Sequence, residues 1–260
     1  MTTNPPLIFA THAGPGFRWL DAAGAPLVAF TTRKGGVSQP PHDSLNIGLS
    51  SGDRPEDVRE NRRRVLATLG IEDVATVSQV HGAACQVVDA PGHAGPGDVL
   101  VTTRPDLALA VTTADCLGVV LWTEDREALA AVHAGWRGLV AGVLEAAAER
   151  LAALRPGVAL HAAIGPGIRA CCFEVGPEVA ERFPADCVIA TPPRPHVDLA
   201  RAAARRLASA GVTAAHLHDL GECTSCDPAT YYSHRRDRGT TGRHWALARL
   251  APWHAARAGA

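Results

Sequence analysis

The chain has 260 residues, 47% apolar and 20% charged, with a formal net charge of −1. That balance supports a substantial core, argues against wholesale disorder, and supplies no basic field to recommend a nucleic-acid partner. No apolar run reaches membrane-spanning length, Met1-Thr2-Thr3-Asn4-Pro5-Pro6 lacks the pattern of a secretory leader, and the cysteine count of seven is odd, so the reading is a cytoplasmic protein with free thiols.

In chain order, residues 26–32 read as a strand. It runs into the glycine turn Thr32-Arg33-Lys34-Gly35-Gly36-Val37-Ser38, which carries two cations. Residues 40–52 are loop and include Ser44-Leu45-Asn46. A helix is expected after Asp53, with Pro55 in its first turn, Gly70 closing it, and an apolar face of Val58, Val65, Leu66 and Leu69. Short β-type runs follow at 74–80, 87–89, 98–102, 107–113, 117–122 and 128–132, several of them separated by Pro and Gly. From Leu139 to Leu151 the apolar residues recur at helical spacing. A strand at 158–164 precedes the turn Gly165-Pro166-Gly167, a second amphipathic helix covers 198–209, and strands at 212–217 and 243–250 close the chain. With no repeat and no long linker, the pattern predicts one α+β domain over 1–260, its sheets covered by helices.

Three reactive residues stand where strand-like runs end in small residues. They are His81 in Ser78-Gln79-Val80-His81-Gly82, Cys116 in Thr113-Ala114-Asp115-Cys116, and His133 in His133-Ala134-Gly135-Trp136-Arg137-Gly138. Two imidazoles and a thiolate are the ligand set of a catalytic zinc that keeps its fourth position open. The wide spacing means that separate strands must assemble the site. Asp115 has two readings: it ties down its loop, or it serves as a general base beside the metal. It can share a site with Cys116 only if the strand has already ended, because consecutive strand residues face opposite ways. The turn after His133 leads into the expected helix, so backbone N–H groups and Arg137 could hold an anion there; a plain tight turn is the competing reading. Late in the chain, Tyr232-Ser233-His234-Arg235-Arg236-Asp237 with Thr241-Gly242-Arg243 reads either as a solvated hairpin or as a cationic wall for phosphate. Cys223 and Cys226 have metal-type spacing, but no second CxxC is present to complete a four-thiolate site locally. Cys171 and Cys172 read as packing residues.

Taken together these motifs resemble the YfiH family, whose members are also called laccase-domain proteins, polyphenol oxidases and peptidoglycan editing factors. The resemblance rests on Gln79-Val80-His81-Gly82, Thr113-Ala114-Asp115-Cys116, His133-Ala134-Gly135-Trp136-Arg137-Gly138, Ile164-Gly165-Pro166 with Cys171-Cys172-Phe173-Glu174-Val175, and Ser233-His234-Arg235-Arg236-Asp237 with Thr241-Gly242-Arg243. Thr31 to Ser38 and Ser44-Leu45-Asn46 match its N-terminal signature. It implies a layered α/β/β/α sandwich and one zinc on His81, Cys116 and His133. It also implies phosphorolysis of adenosine, inosine, guanosine and methylthioadenosine, with adenosine deamination as a further activity. On this reading Asp115 and Arg137 join the three ligands as catalytic residues, and Arg33, Asn46, Gln79 and Arg235, each inside a family motif, bind nucleoside or phosphate. The chain departs from the family at Arg169, where Gly is common, and at His234, where an aromatic is common; both bear on substrate fit. Three alternatives remain at this level: a copper phenol oxidase, since copper accepts the same ligands; a hydrolase of cell-wall precursors with Cys116 as nucleophile; and a binding module that keeps zinc for stability. A monomer without membrane or nucleic-acid partners is expected.

Overall fold

Strands dominate because most apolar runs here are too short for helices and are buried on both faces. The computed structural model describes residues 8–12, 15–21 and 24–252. The expectation about Met1 to Pro6 falls outside these.

The chain opens with β1 (Ile8–His12), β2 (Phe17–Asp21) and β3 (Leu27–Thr31), then helix α1 (Pro55–Leu69). Strands β4 (Val74–Ser78), β5 (Cys85–Val87), β6 (Gly92–Pro96), β7 (Val99–Thr102), β8 (Ala108–Thr113), β9 (Leu117–Thr123) and β10 (Leu129–Ala134) follow. Helices α2 (Trp136–Val140) and α3 (Val143–Leu154), β11 (Leu160–Ile164) and α4 (Pro177–Ala180) lead to the short pair β12 (Val188–Ile189) and β13 (His196–Val197). Helix α5 (Leu199–Ser209), β14 (Leu217–Asp219) and β15 (His244–Arg249) complete the order. One seven-stranded sheet runs β1-β2-β3-β15-β8-β4-β6, and a six-stranded sheet runs β14-β11-β9-β10-β7-β5. Both mix parallel and antiparallel pairs: β4 lies parallel to β8, while β10 is antiparallel to β9.

Alternation along the strands sorts the core into three layers of side chains. Val28, Phe30, Leu109, Val111, Ala246 and Ala248 of the first sheet meet Val120, Trp122, Leu129 and Ala131 of the second. The opposite face of the first sheet, with Ala29, Ala108, Ala110, Trp245 and Leu247, packs on Val65 and Leu69 of α1. The opposite face of the second, with Val119, Leu121, Ala130 and Val132, packs on Leu144, Ala147 and Leu151 of α3 and Ala203 and Leu207 of α5. The result is the expected order of layers, helix, sheet, sheet, helix. The sheets approach so closely that a Cβ on Gly118 would lie 2.3 Å from the Ala246 methyl.

Helix α1 forms where its signals predict. Pro55 stands in the first turn, Glu56 and Asp57 favour the positive end of the helix dipole, and Gly70 ends it at φ +62°. The apolar period after His133 is not one helix, however. Gly142 at φ +85° breaks it, leaving α2 and α3 in sequence. The expected strand at 212–217 is a 3-10 turn over Ala214–His216, with β14 starting only at Leu217. The run at 87–89 shifts to β5 at Cys85–Val87. Among the described residues no helix is long and apolar enough to cross a membrane.

Candidate active site

Four strand ends converge at one rim of the two sheets. β4 and β8 run parallel, so their carboxyl ends arrive together, and Gln79 just past β4 reaches Thr112 near the end of β8. In the second sheet His133 pairs with Gly118, which places the end of β10 beside the start of β9. Thr113 closes β8 and Leu117 opens β9, so residues 114–116 form a turn between the sheets. Asp115 adopts φ +87° there, a conformation uncommon for a non-glycine residue. The condition for Asp115 and Cys116 to share a site is met: both line the same cavity of about 780 Å³.

His81, Cys116 and His133 line that cavity, with their ligating atoms within 4.8 Å of one another. The two imidazoles cross at 84° with ring centroids 4.8 Å apart. Gly135 makes room for them, because a Cβ there would stand 2.9 Å from Cys116 Sγ and 3.3 Å from His81 Cδ2. This donor set fits a three-ligand metal site beside the cavity.

The residue that organises the site is Asp98, which the sequence reading left as the start of a strand. Its fully buried carboxylate accepts from the backbone N–H groups of Val80, His81 and Gly82 at 3.2, 3.0 and 2.7 Å. It also accepts the Nδ1–H of His133 at 2.8 Å. One carboxylate therefore wraps the turn that carries His81, at φ +61°, and fixes the His133 tautomer with Nε2 free for a metal. Burial would push Asp98 up, but His133 and the backbone donors hold it below the usual carboxylate range. Burial would likewise raise the Cys116 thiol; His133 and His81 outweigh it and bring it down to about 6. Burial would lower His133, but the Cys116 thiolate and Asp98 raise it to about 9. These opposed shifts favour a thiolate beside an imidazolium in the metal-free pocket.

The other expected site residues divide into two groups. Asp115, Arg137, Gln79 and Arg235 line the cavity. Each Asp115 oxygen already accepts one internal hydrogen bond, from Thr224 Oγ1 and from the Arg235 backbone, both at 2.6 Å. Gln79 spends its amide on Thr112, donating to its carbonyl and accepting from its N–H and hydroxyl. Arg235 lies over the Phe173 ring and donates to the Glu174 carbonyl at 2.6 Å. Arg137 stacks on Trp136 with 4.4 Å to the ring centroid. By contrast, Arg33 and Asn46 lie outside the cavity. Arg33 donates to the Asp43 carbonyl and carboxylate and to the Pro228 carbonyl. Asn46 is buried and ties Ser51, Asp53, Gly48 and Arg243 together. They reach the site only through what they hold: Gly48 and Arg243 are cavity residues, and Asn46 fixes both.

Arg62, which no sequence signal singles out, also lines the cavity, together with His234 and Arg243 of the late polar cluster. Arg169, a departure from the family pattern like His234, pairs instead with Asp219. The short α2 replaces the long helix expected after His133, so Arg137 stands on a single turn. Two further groups of metal-type side chains occur among the described residues: Glu124 with His161 and His216, and Cys171, Cys172, Cys223 and Cys226. In the latter the two thiols that Cys223 and Cys226 lack locally come from a distant loop, and Cys171 and Cys172 are grouped with them rather than serving only as packing residues.

Comparison with known proteins identifies the family. The family described as multi-copper polyphenol oxidoreductase laccase matches residues 27–251. The chain belongs to this family. A relative from Deinococcus radiodurans named purine nucleoside phosphorylase is 42% identical over 227 residues, covering 84% of this chain and 87% of the relative. Purine nucleoside phosphorylase YfiH of Escherichia coli K12 is 39% identical, covering 82% and 89%. Among solved structures, YlmD from Geobacillus stearothermophilus superposes with a TM-score of 0.86 at 34% identity, covering 95% of this chain and all of YlmD (100%). The YfiH protein of Bacillus licheniformis gives 0.86 at 28% identity, covering 92% and 98%. The family's α+β fold is therefore this chain's fold, and its laccase-like members are metal-associated.

Proposed function

We propose that this laccase-family chain is a zinc-dependent purine nucleoside phosphorylase, acting on adenosine, inosine, guanosine and methylthioadenosine. The observation that carries the reading is a three-ligand set, His81, Cys116 and His133, opening into a cavity that Arg62, Arg137, Arg235 and Arg243 also line. The names of the relatives supply the reaction class. A cavity of this size is in the ordinary range for a small-molecule site.

Phosphorolysis breaks the bond between the anomeric carbon and the purine nitrogen and forms a bond from that carbon to a phosphate oxygen. The electron pair leaves with the purine, which must take up a proton. Zinc on these ligands supplies a Lewis-acidic position that can orient an oxygen or polarise the leaving base. Arg137 and Arg243 neutralise phosphate, with guanidinium forks matched to its oxygens. Trp136 and Phe173, each with an arginine over its ring, also line the cavity and offer aromatic surface for the purine. Asp98 holds His133 in one tautomer throughout, and Asp115 fixes the backbone of Arg235 so that its side chain approaches from a set direction.

Adenosine deamination is a second reading of the same pocket, favoured by the Asp115 carboxylate that lines it. Each oxygen keeps one lone pair, and so can relay a proton from water to the departing amine. The copper-oxidase reading suggested by the family description has less support: among the described residues, one metal-type group of two imidazoles and a thiol lines the cavity. Incubation with inosine, guanosine, adenosine and methylthioadenosine, with and without phosphate, tests the proposal. Phosphate-dependent release of free base is expected, and ammonia from adenosine without phosphate reports deamination. No free base from any of the four nucleosides would overturn the phosphorylase reading.

A further inference from the structure

The four cysteines outside the cavity come from two distant segments that the fold sets side by side. The first follows the Gly165-Pro166-Gly167 turn and carries Cys171-Cys172. The second is the CxxC stretch Cys223-Thr224-Ser225-Cys226. Gly167 and Cys223 form an isolated parallel bridge, Thr224 N–H donates to the Gly167 carbonyl at 3.1 Å, and Arg169 N–H donates to Cys223 Sγ at 3.4 Å. All four sulfurs lie within 4.8 Å of one another, with Cys226 Sγ 3.4 Å from Cys171 Sγ and 3.3 Å from Cys172 Sγ. None is in a disulfide.

We propose that Cys171, Cys172, Cys223 and Cys226 form a second metal site, holding one tetrahedral zinc ion as a structural staple. A tetrahedron of zinc–sulfur bonds of about 2.3 Å has sulfur–sulfur edges of roughly 3.8 Å. The two closest separations, 3.4 and 3.3 Å, fall just short of that edge and none exceeds 4.8 Å, so small side-chain rotations bring four thiolates to one centre. Disulfides would need sulfurs at about 2.05 Å and would join the thiols in pairs. Four converging sulfurs are a soft donor set, which selects zinc over hard cations such as magnesium or calcium. The Arg169 N–H at Cys223 is the kind of backbone donor that steadies a ligating thiolate. Cys171 and Cys226 are exposed, which gives an ion a route in.

The staple has a target. Ile168 N–H donates to the Asp115 carbonyl at 2.8 Å, and Thr224 Oγ1 donates to the Asp115 carboxylate at 2.6 Å. One cysteine segment thus holds the backbone of Asp115 and the other holds its side chain. Ile168 and Phe173, either side of Cys171-Cys172, line the cavity. The ion locks these two loops to each other, and through them one wall of the active cavity. This inference does not depend on which reaction the cavity performs.

The test uses the full chain purified under reducing conditions and washed with a mild chelator. Wild-type protein is expected to retain two zinc ions per chain, and Cys226→Ser about half as much. Cobalt-loaded Cys116→Ala, whose cavity site is disabled, is expected to show the intense charge-transfer and ligand-field bands of a tetrathiolate centre. The Glu124, His161 and His216 group cannot give that spectrum. Where a variant fails to fold, zinc-edge X-ray absorption of the wild type reads the same point, with sulfur dominating the ligand shell and a sulfur-to-nitrogen ratio above that of the cavity site alone. A shell of one sulfur and two imidazoles only, folded cobalt-loaded Cys116→Ala without tetrathiolate bands, or recovery of the four thiols as disulfides despite reductant would each overturn the proposal.

Discussion

At the residue scale, the account turns on one buried carboxylate. Asp98 gathers three backbone N–H groups and one imidazole, so it sets the positions of two proposed metal ligands at once. Asp98→Asn keeps the shape but loses the charge, and turns part of an acceptor into a donor facing N–H groups. Metal affinity is expected to fall by about 10- to 100-fold, which competition with a chelating indicator measures; unchanged affinity would remove Asp98 from its assigned role. Cys116 gives a second expectation. Its thiol is lowered to about 6 in the metal-free pocket, so the reactive thiolate is present above that pH and lost below it. In chelated protein, alkylation of the Cys116 peptide, followed by mass spectrometry, is expected to rise with pH through a midpoint near 6, where an ordinary thiol rises at about 8.5. The grouping of His81, Cys116 and His133 was legible in the sequence because imidazoles and a thiol at strand ends are chemically distinctive. Asp98 was not: an acid opening a strand looks like any turn residue, and its role exists only once His81 and His133 come to it. Arg33 and Asn46 drew attention through their motifs, yet their hydrogen bonds show that motif membership here reflects loop architecture as well as cavity chemistry.

At the scale of elements, the site is a meeting of strand ends, and one tight point is the passage from β10 into α2. Gly135 lies there against Cys116 and His81. Gly135→Ala adds a methyl where neither neighbour can retreat without leaving the metal position. The expected results are weaker metal retention together with a stability loss of about 1–3 kcal/mol, read by metal analysis and denaturant unfolding; full retention of metal at wild-type stability would contradict the packing described. The strands most legible in the sequence were the apolar ones, β3 and β7 to β11, and α1 was announced by Pro55 and Gly70. β6 was not legible, because Gly92-His93-Ala94-Gly95-Pro96 has no apolar alternation and joins β4 through its backbone. The division of α2 from α3 was hidden for a related reason: the apolar period continues across Gly142, and only its φ of +85° breaks the helix.

At the scale of the whole molecule, the two sheets bury their shared face and leave the chemistry at one rim. The layer order was implied by the family resemblance, whereas apolar periodicity alone predicted only sheets covered by amphipathic helices. The register that superposes His133 on Gly118 followed from neither, because many pairings would bury the same residues. The closing strand β15 carries a global expectation. His244, at its start, is 1% exposed and accepts the Tyr232 N–H at 2.8 Å. Burial, aided by nearby arginines, lowers it from 6.5 to about 3, against the smaller upward effect of the Tyr232 contact. Between those values the unfolded chain binds a proton that the folded chain refuses. Stability from this group is therefore complete above pH 6.5 and lost as pH falls toward 3. Thermal unfolding between pH 7 and pH 4 is expected to fall more steeply in the wild type than in His244→Gln; parallel slopes would show that the imidazole is not held neutral.

The most direct measurement pairs metal content with phosphate-dependent hypoxanthine release from inosine, in wild type and in Cys116→Ala. The account predicts that the substitution removes the cavity metal and the reaction together while the fold persists. A folded Cys116→Ala protein that keeps its full metal complement and still cleaves inosine would contradict it.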